Sequence, residues 1–206
     1  ARTNNCKVKG TRKMGLIELE NYAKERDIPI MQKEGIEFLK EYIKKNKVQN
    51  ILEIGAAIGY SAIQMALVDQ NVRVTTIERD YPRYLEAVKN IHNFNLDKNI
   101  RIINADALDI DIEGKFDLIF IDAAKAQYIK FFEKYKNNLT DCGSIISDNL
   151  NFHGLTQNPE EIKSKNLRAL VRKINKYRDF LKSNEEFTTE FYNIGDGITV
   201  SRRKGA

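Results

Sequence analysis

The chain is poor in cysteine and has no long apolar run. Its two cysteines, Cys6 and Cys142, lie far apart and in no metal or redox spacing. A disulfide framework and a thiolate metal cluster are therefore excluded as organising features. Reduced thiols in a cytoplasmic protein are the expectation. No stretch approaches the roughly 20 apolar residues that a membrane helix needs. No secretory apolar region is visible either, so no membrane partner is expected. Internal repeats and low-complexity tracts are also lacking. What is present is 206 residues, enough for one α/β domain with a full core. The formal charge of +5 favours an anionic partner without establishing one.

Hydrophobic periodicity divides the chain into regular elements. Residues 1–13 are polar and basic and read as a mobile arm. Two helices follow, Met14–Arg26 and Gln32–Asn46, separated by Asp27-Ile28-Pro29. Strands then alternate with helices: strand Asn50–Ile54, helix Tyr60–Val68, strand Val72–Ile77, helix Tyr81–Asn93, strand Ile100–Ile103 with a weak helix after it, strand Phe116–Ile121, helix Gln127–Asn138 and strand Gly143–Ser147. A long basic helix is expected over Asn158–Ser183. Segments Phe187–Asn193 and Ile198–Arg202 flank Gly195-Asp196-Gly197, a hairpin signal. The pattern predicts a mostly parallel sheet closed by an antiparallel hairpin, with the first two helices as an added layer.

The chain is organised around N-I-L-E-I-G-A-A-I-G-Y-S at Asn50–Ser61. Strand, glycine turn and helix in that order open many nucleotide-binding units. Gly55 allows a close backbone approach, and the helix start offers free N–H groups. The spacing is E-x-G-x-x-x-G rather than G-x-G-x-x-G, and a plain βα turn carries the same glycines. A second acid, Glu78, ends the next strand, where a carboxylate can bond both ribose hydroxyls. Further along, Asp106, Asp122 and the pair Asp148-Asn149 stand at successive strand ends. Asp106 can cap a helix or meet a base. Asp122, Asp148 and Asn149 form a hard-oxygen set suited to Mg²⁺ if the sheet brings them together, and are unrelated loop acids if it does not.

These residues resemble the metal-dependent, catechol-type class I O-methyltransferases. The resemblance runs from about Ile28 to Val200 through L-E-I-G-A-A-I-G-Y-S, T-T-I-E-R-D, N-A-D-A, F-D-L-I-F-I-D-A-A-K-A-Q-Y, S-D-N and G-D-G-I. It implies a Rossmann-like fold with a seven-stranded sheet in one domain. It also implies S-adenosyl-L-methionine held by Glu53, Gly55, Gly59, Ser61, Glu78, Asp106 and Asp122. A divalent cation, usually Mg²⁺, would sit on Asp122, Asp148 and Asn149, and Lys125 would assist deprotonation. A homodimer through the N-terminal helices is implied too. Three departures stand out. Ala124 replaces the second acid of D-A-D-K, Ala105 replaces a glycine, and Phe152-His153-Gly154 replaces a segment that often carries tryptophan.

Within that family, P-I-M-Q-K-E-G, D-A-A-K-A-Q-Y and S-D-N-L-N-F-H-G look like the bacterial tRNA 5-hydroxyuridine methyltransferases. The resemblance implies 5-methoxyuridine formation at the tRNA wobble position, with the anticodon loop as partner. The basic residues of the long helix, Arg168, Arg172 and Lys173 among them, then become candidate phosphate contacts, although a solvated basic face reads the same. His153 is a candidate for stacking on the base, or a loop histidine without a role. The alternative substrate is a small catechol or phenolic metabolite.

Overall fold

The computed structural model describes residues 14–150 and 159–206. Its centre is a seven-stranded sheet in the order β3-β2-β1-β4-β5-β7-β6. The strands are β1 (Asn50–Ile54), β2 (Arg73–Glu78), β3 (Ile100–Asn104), β4 (Phe116–Ile121), β5 (Leu139–Ser147), β6 (Phe187–Tyr192) and β7 (Ile198–Arg203). The first five pair in parallel, and β7 runs antiparallel to both β5 and β6. The helices among the described residues are α1 (Leu16–Glu25), α2 (Lys33–Lys45), α3 (Tyr60–Ala66), α4 (Tyr81–Asn93), α5 (Tyr128–Tyr135) and α6 (Lys165–Lys182).

Strand alternation sorts the side chains onto two faces. Ile51, Leu118, Phe120 and Ile146 point into one core with α1, α2 and α3. Leu52, Ile54, Ile119, Ile121 and Ile145 point into the other with α5 and α6. Both faces are covered, which accounts for near-continuous apolar runs such as L-I-F-I in β4. The order reverses between β1 and β4. Strand ends on either side of that switch form the crevice where ligands collect in this architecture.

Four elements differ from the sequence expectation by more than two residues. No helix follows β3. The carbonyls that a helix would use are instead taken by side chains: Tyr135 bonds Ala107, Lys134 bonds Leu108 and Ile110, and Asn138 bonds Ile112. The long basic helix starts at Lys165 rather than Asn158. Ser164 caps it by accepting the Leu167 N–H, and Arg168 Nη2 takes the Ile162 carbonyl at 2.6 Å. α5 is shortened to eight residues with a 3₁₀ turn at each end. β5 begins four residues early, at Leu139, with a register irregularity against β4. The basic arm at residues 1–13 and the Phe152-His153-Gly154 segment lie outside the described residues.

Candidate active site

The ends of β1, β2, β4 and β5 open onto a cavity of about 510 Å³. Its wall includes Gly55, Ala57, Glu78, Asp106, Asp122, Lys125 and Asn149. The short segment Pro29-Ile30-Met31, between α1 and α2, closes one side. The volume lies within the ordinary range for a small-molecule or cofactor site.

At the β1–β2 end, the turn after β1 is fixed by Gly55. Its φ is +100°, and a Cβ there would lie 2.1 Å from the Asp122 carbonyl oxygen. The glycine therefore answers to the close approach of the β4 end as well as to the cavity. Gly59, at φ +84°, sits behind the turn at the start of α3, with its missing Cβ facing Ala87. Glu78 is buried, and each of its carboxylate oxygens accepts one backbone N–H, from Ala57 at 2.8 Å and Asp80 at 2.9 Å. Each oxygen keeps a lone pair for a ligand hydroxyl. Asp106 lines the cavity and accepts the Leu108 N–H at 2.9 Å. It shapes a turn rather than capping a helix.

Besides Gly59, two residues assigned to the cofactor from the motif are placed off the cavity wall. Glu53 shares the β1 face with Ile51, not the cavity wall, and is 0% exposed. It accepts hydrogen bonds from Ser61 of α3 and from Thr76 of β2, its register partner. Burial pushes its carboxyl up to about 7, and the two hydroxyls restrain that rise. Ser61 is spent on Glu53 in the same way. The pair clamps α3 onto two strands, beneath the glycine turn.

At the β4–β5 end the acids have fewer partners. Asn149 Nδ2 donates to Asp122 Oδ1 at 2.9 Å and reaches Asp148 Oδ2 at 3.4 Å. Burial pushes both aspartates up. Asp148 is raised further by the charge of Asp122, while Lys125 opposes the rise in each. Asp196, in the β6–β7 turn, also lines the cavity and raises both aspartates through its charge. It accepts from Gln32 Nε2 at 2.9 Å, joining the hairpin to the start of α2. Sequence reasoning read Gly195-Asp196-Gly197 as a turn and as part of the family resemblance, and gave Asp196 no place in the site. Gln127, another wall residue, carries an Oε1 that is buried without a partner among the described residues.

One buried carboxylate, Asp148, one half-buried carboxylate, Asp122, and an amide suit a divalent cation by donor chemistry, once the Asn149 amide turns its oxygen toward the acids. No cluster of three or more histidine, cysteine, aspartate or glutamate side chains able to hold a metal occurs among the described residues. The set therefore rests on two acids plus the amide. The polar wall of Glu78 and Asp106, with the orphaned Gln127 acceptor, suits a ligand carrying hydroxyl and amine donors.

The candidate RNA residues of α6 stand apart from the cavity wall. Arg168 is committed to the Ile162 carbonyl, Arg172 pairs with Glu160 at 2.7 Å, and Lys173 is exposed. No helix among the described residues is long and apolar enough to cross a membrane.

Comparison with known proteins places this geometry. The O-methyltransferase family model matches residues 9–204. The chain belongs to the O-methyltransferase family. A Staphylococcus aureus protein provisionally described as a caffeoyl-CoA O-methyltransferase shares 36% identity, covers 92% of each chain and superposes with a TM-score of 0.87. A caffeoyl-CoA O-methyltransferase from Populus kitakamiensis is 28% identical over 180 residues, 81% of this chain and 74% of that protein. An O-methyltransferase from Bacillus cereus, solved with SAH, has a TM-score of 0.79 at 24% identity over 96% and 94% of the two chains, which speaks for the fold alone.

Proposed function

We propose that this O-methyltransferase uses S-adenosyl-L-methionine and a divalent cation, Mg²⁺ in the first instance, to methylate 5-hydroxyuridine at the wobble position of tRNA. The observation that carries the reading is the joining of Asp122, Asn149 and Lys125 on the wall of one cavity that also contains Glu78, with Asp148 behind the wall and within 3.4 Å of the Asn149 amide. Glu78 is the ribose ligand, with both oxygens pre-aimed by backbone N–H groups. The sulfonium cofactor supplies the methyl group, and a cation on the aspartates supplies charge stabilisation for a substrate oxyanion. Lys125, beside those acids, assists removal of the hydroxyl proton. The chain's larger task is alignment: substrate oxygen, methyl carbon and sulfur in line, so that an O–C bond forms as the C–S bond breaks.

5-Hydroxyuracil presents a ring hydroxyl and an adjacent carbonyl, the same two-oxygen edge that a catechol presents. The exposed cations Arg172, Lys173 and Lys176 on α6 support the tRNA reading over a free metabolite. A small catechol or phenol is the second reading, favoured by the relatives that carry caffeoyl-CoA in their names. Nucleoside mass analysis of tRNA from cells with and without the gene decides between them. Loss of 5-methoxyuridine with accumulation of 5-hydroxyuridine is expected, and an unchanged profile sinks the tRNA reading. A homodimer through the N-terminal helices belongs to the same proposal, supported by Ile17 of α1, which is 72% exposed. Sedimentation showing only monomer at micromolar concentration would remove it.

A further inference from the structure

The segment that presents Asp148 and Asn149 is bonded on every side. The Asp148 N–H donates to the Ile121 carbonyl at 3.3 Å, and the Leu150 N–H donates to the Gly197 carbonyl at 3.2 Å. Between them Asn149 takes a left-handed conformation at φ +65°, which asparagine tolerates better than most residues. The Asp148 carbonyl accepts from the Tyr128 hydroxyl at 3.1 Å. One residue back, Ser147 Oγ pairs with the Tyr177 hydroxyl at 2.7 Å. The two tyrosine rings meet edge to face, with centroids 5.2 Å apart. Each ring is 1% exposed, so neither hydroxyl touches the cavity.

We infer that Tyr128 is a positioning residue: its buried hydroxyl sets the Asp148–Asn149 peptide so that both side chains converge on one cation. This rests on the metal reading above. Tyr128 enters α5 directly after the turn that carries Lys125, so one short segment holds both the proton-handling lysine and the clamp on the facing strand end. Free of that bond, the peptide after Asp148 has one fewer restraint on the plane that aims both side chains. Metal sites are sensitive to such supporting bonds, whose loss typically costs 10–100-fold in affinity.

A matched control exists in the same helix. Tyr135 is equally buried, and its hydroxyl also donates to a main-chain carbonyl, that of Ala107, in the loop after β3. Tyr128→Phe and Tyr135→Phe each delete one hydroxyl and keep the ring, so both should fold. Mn²⁺ binding is followed by electron paramagnetic resonance on the full-length protein, together with SAH binding by calorimetry. Tyr128→Phe should weaken Mn²⁺ about tenfold and leave SAH affinity unchanged. Saturating Mg²⁺ should then restore its kcat. Tyr135→Phe should bind Mn²⁺ as the wild type does. Wild-type Mn²⁺ affinity in Tyr128→Phe overturns the inference alone. An equal loss in both variants also overturns it, because the effect is then general loosening. A wild-type protein that binds no Mn²⁺ overturns the metal reading itself.

Discussion

The two ends of the cavity treat buried acid in opposite ways. On the β1–β2 side, Glu53 and Glu78 both have donors on each carboxylate oxygen, hydroxyls for the first and backbone N–H groups for the second. On the β4–β5 side, Asp122 and Asp148 share one amide and each feels the negative charge of Asp196. Acid satisfied from within belongs to the scaffold or is held ready for a neutral hydroxyl. Acid gathered beside acid raises its own cost of ionisation, and that cost is relieved by a cation. Burial alone does not separate the two kinds, since Glu53 is the most enclosed acid of the four and its oxygens are held by Ser61 and Thr76.

The sharpest break of this contrast is Asp148→Ala. We expect a loss of about 10³-fold in kcat/KM, of the order seen when a group stabilising a developing oxyanion is removed. SAH affinity should remain, because the β1–β2 end is untouched. Comparable losses in both would show that the two ends are not separate. The same substitution relieves like-charge repulsion, so the cation-free protein should melt no lower than wild type.

Next comes Glu78→Ala, which should weaken SAM binding by about 1.5–3 kcal/mol, the range for hydrogen bonds to a charged group. Calorimetry reads this directly, and unchanged affinity would take Glu78 out of the site. Some stability should go too, since the Ala57 and Asp80 N–H groups lose their acceptor.

A smaller effect separates the two kinds of acid by pH. Glu53 moves from 4.5 to about 7 on folding. Between those values the folded state binds the extra proton, so stability falls as pH rises through the window. The aspartates are also raised, from 3.8, and add to the fall. In denaturation midpoints measured from pH 4.5 to 7, Mg²⁺ should flatten the aspartate part only. Glu53→Gln should flatten the remainder and leave Mg²⁺ binding intact. A slope abolished by Mg²⁺ alone would contradict the scaffold role of Glu53.

The smallest effect concerns RNA. With Arg168 occupied by Ile162, the informative variant is Arg172→Ala with Lys173→Ala. It should raise KM for tRNA and lower the salt slope by about 1 for each phosphate contact removed, without changing the rate on a free catechol. Identical salt dependence would exclude this face of α6.

Much of the frame was legible because apolar runs bounded by acids and glycines define buried parallel strands. Asp122, Asp148 and Asn149 were readable as strand-end residues, but their meeting depends on β4 and β5 being neighbours, which no local spacing states. Glu53 was misplaced because the motif fixes its distance from Gly55 but not its face. Strand alternation puts it with Ile51, under α3. Asp196 was hidden by its own turn chemistry, since G-D-G reads as a hairpin whatever its aspartate faces. The start of α6 was set too early because Ile162 continues the apolar period, while the Arg168–Ile162 bond that excludes it is a local side-chain to backbone contact that periodicity does not show.

The central claim is cation-dependent methyl transfer to 5-hydroxyuridine in tRNA. It is tested most directly by incubating purified protein with labelled S-adenosyl-L-methionine and tRNA bearing 5-hydroxyuridine, with Mg²⁺ or with EDTA, and digesting the product to nucleosides. The account predicts labelled 5-methoxyuridine with Mg²⁺ and almost none with EDTA. Label appearing equally under EDTA would contradict the metal role of Asp122, Asp148 and Asn149. Label absent from tRNA but present on an added catechol would contradict the substrate.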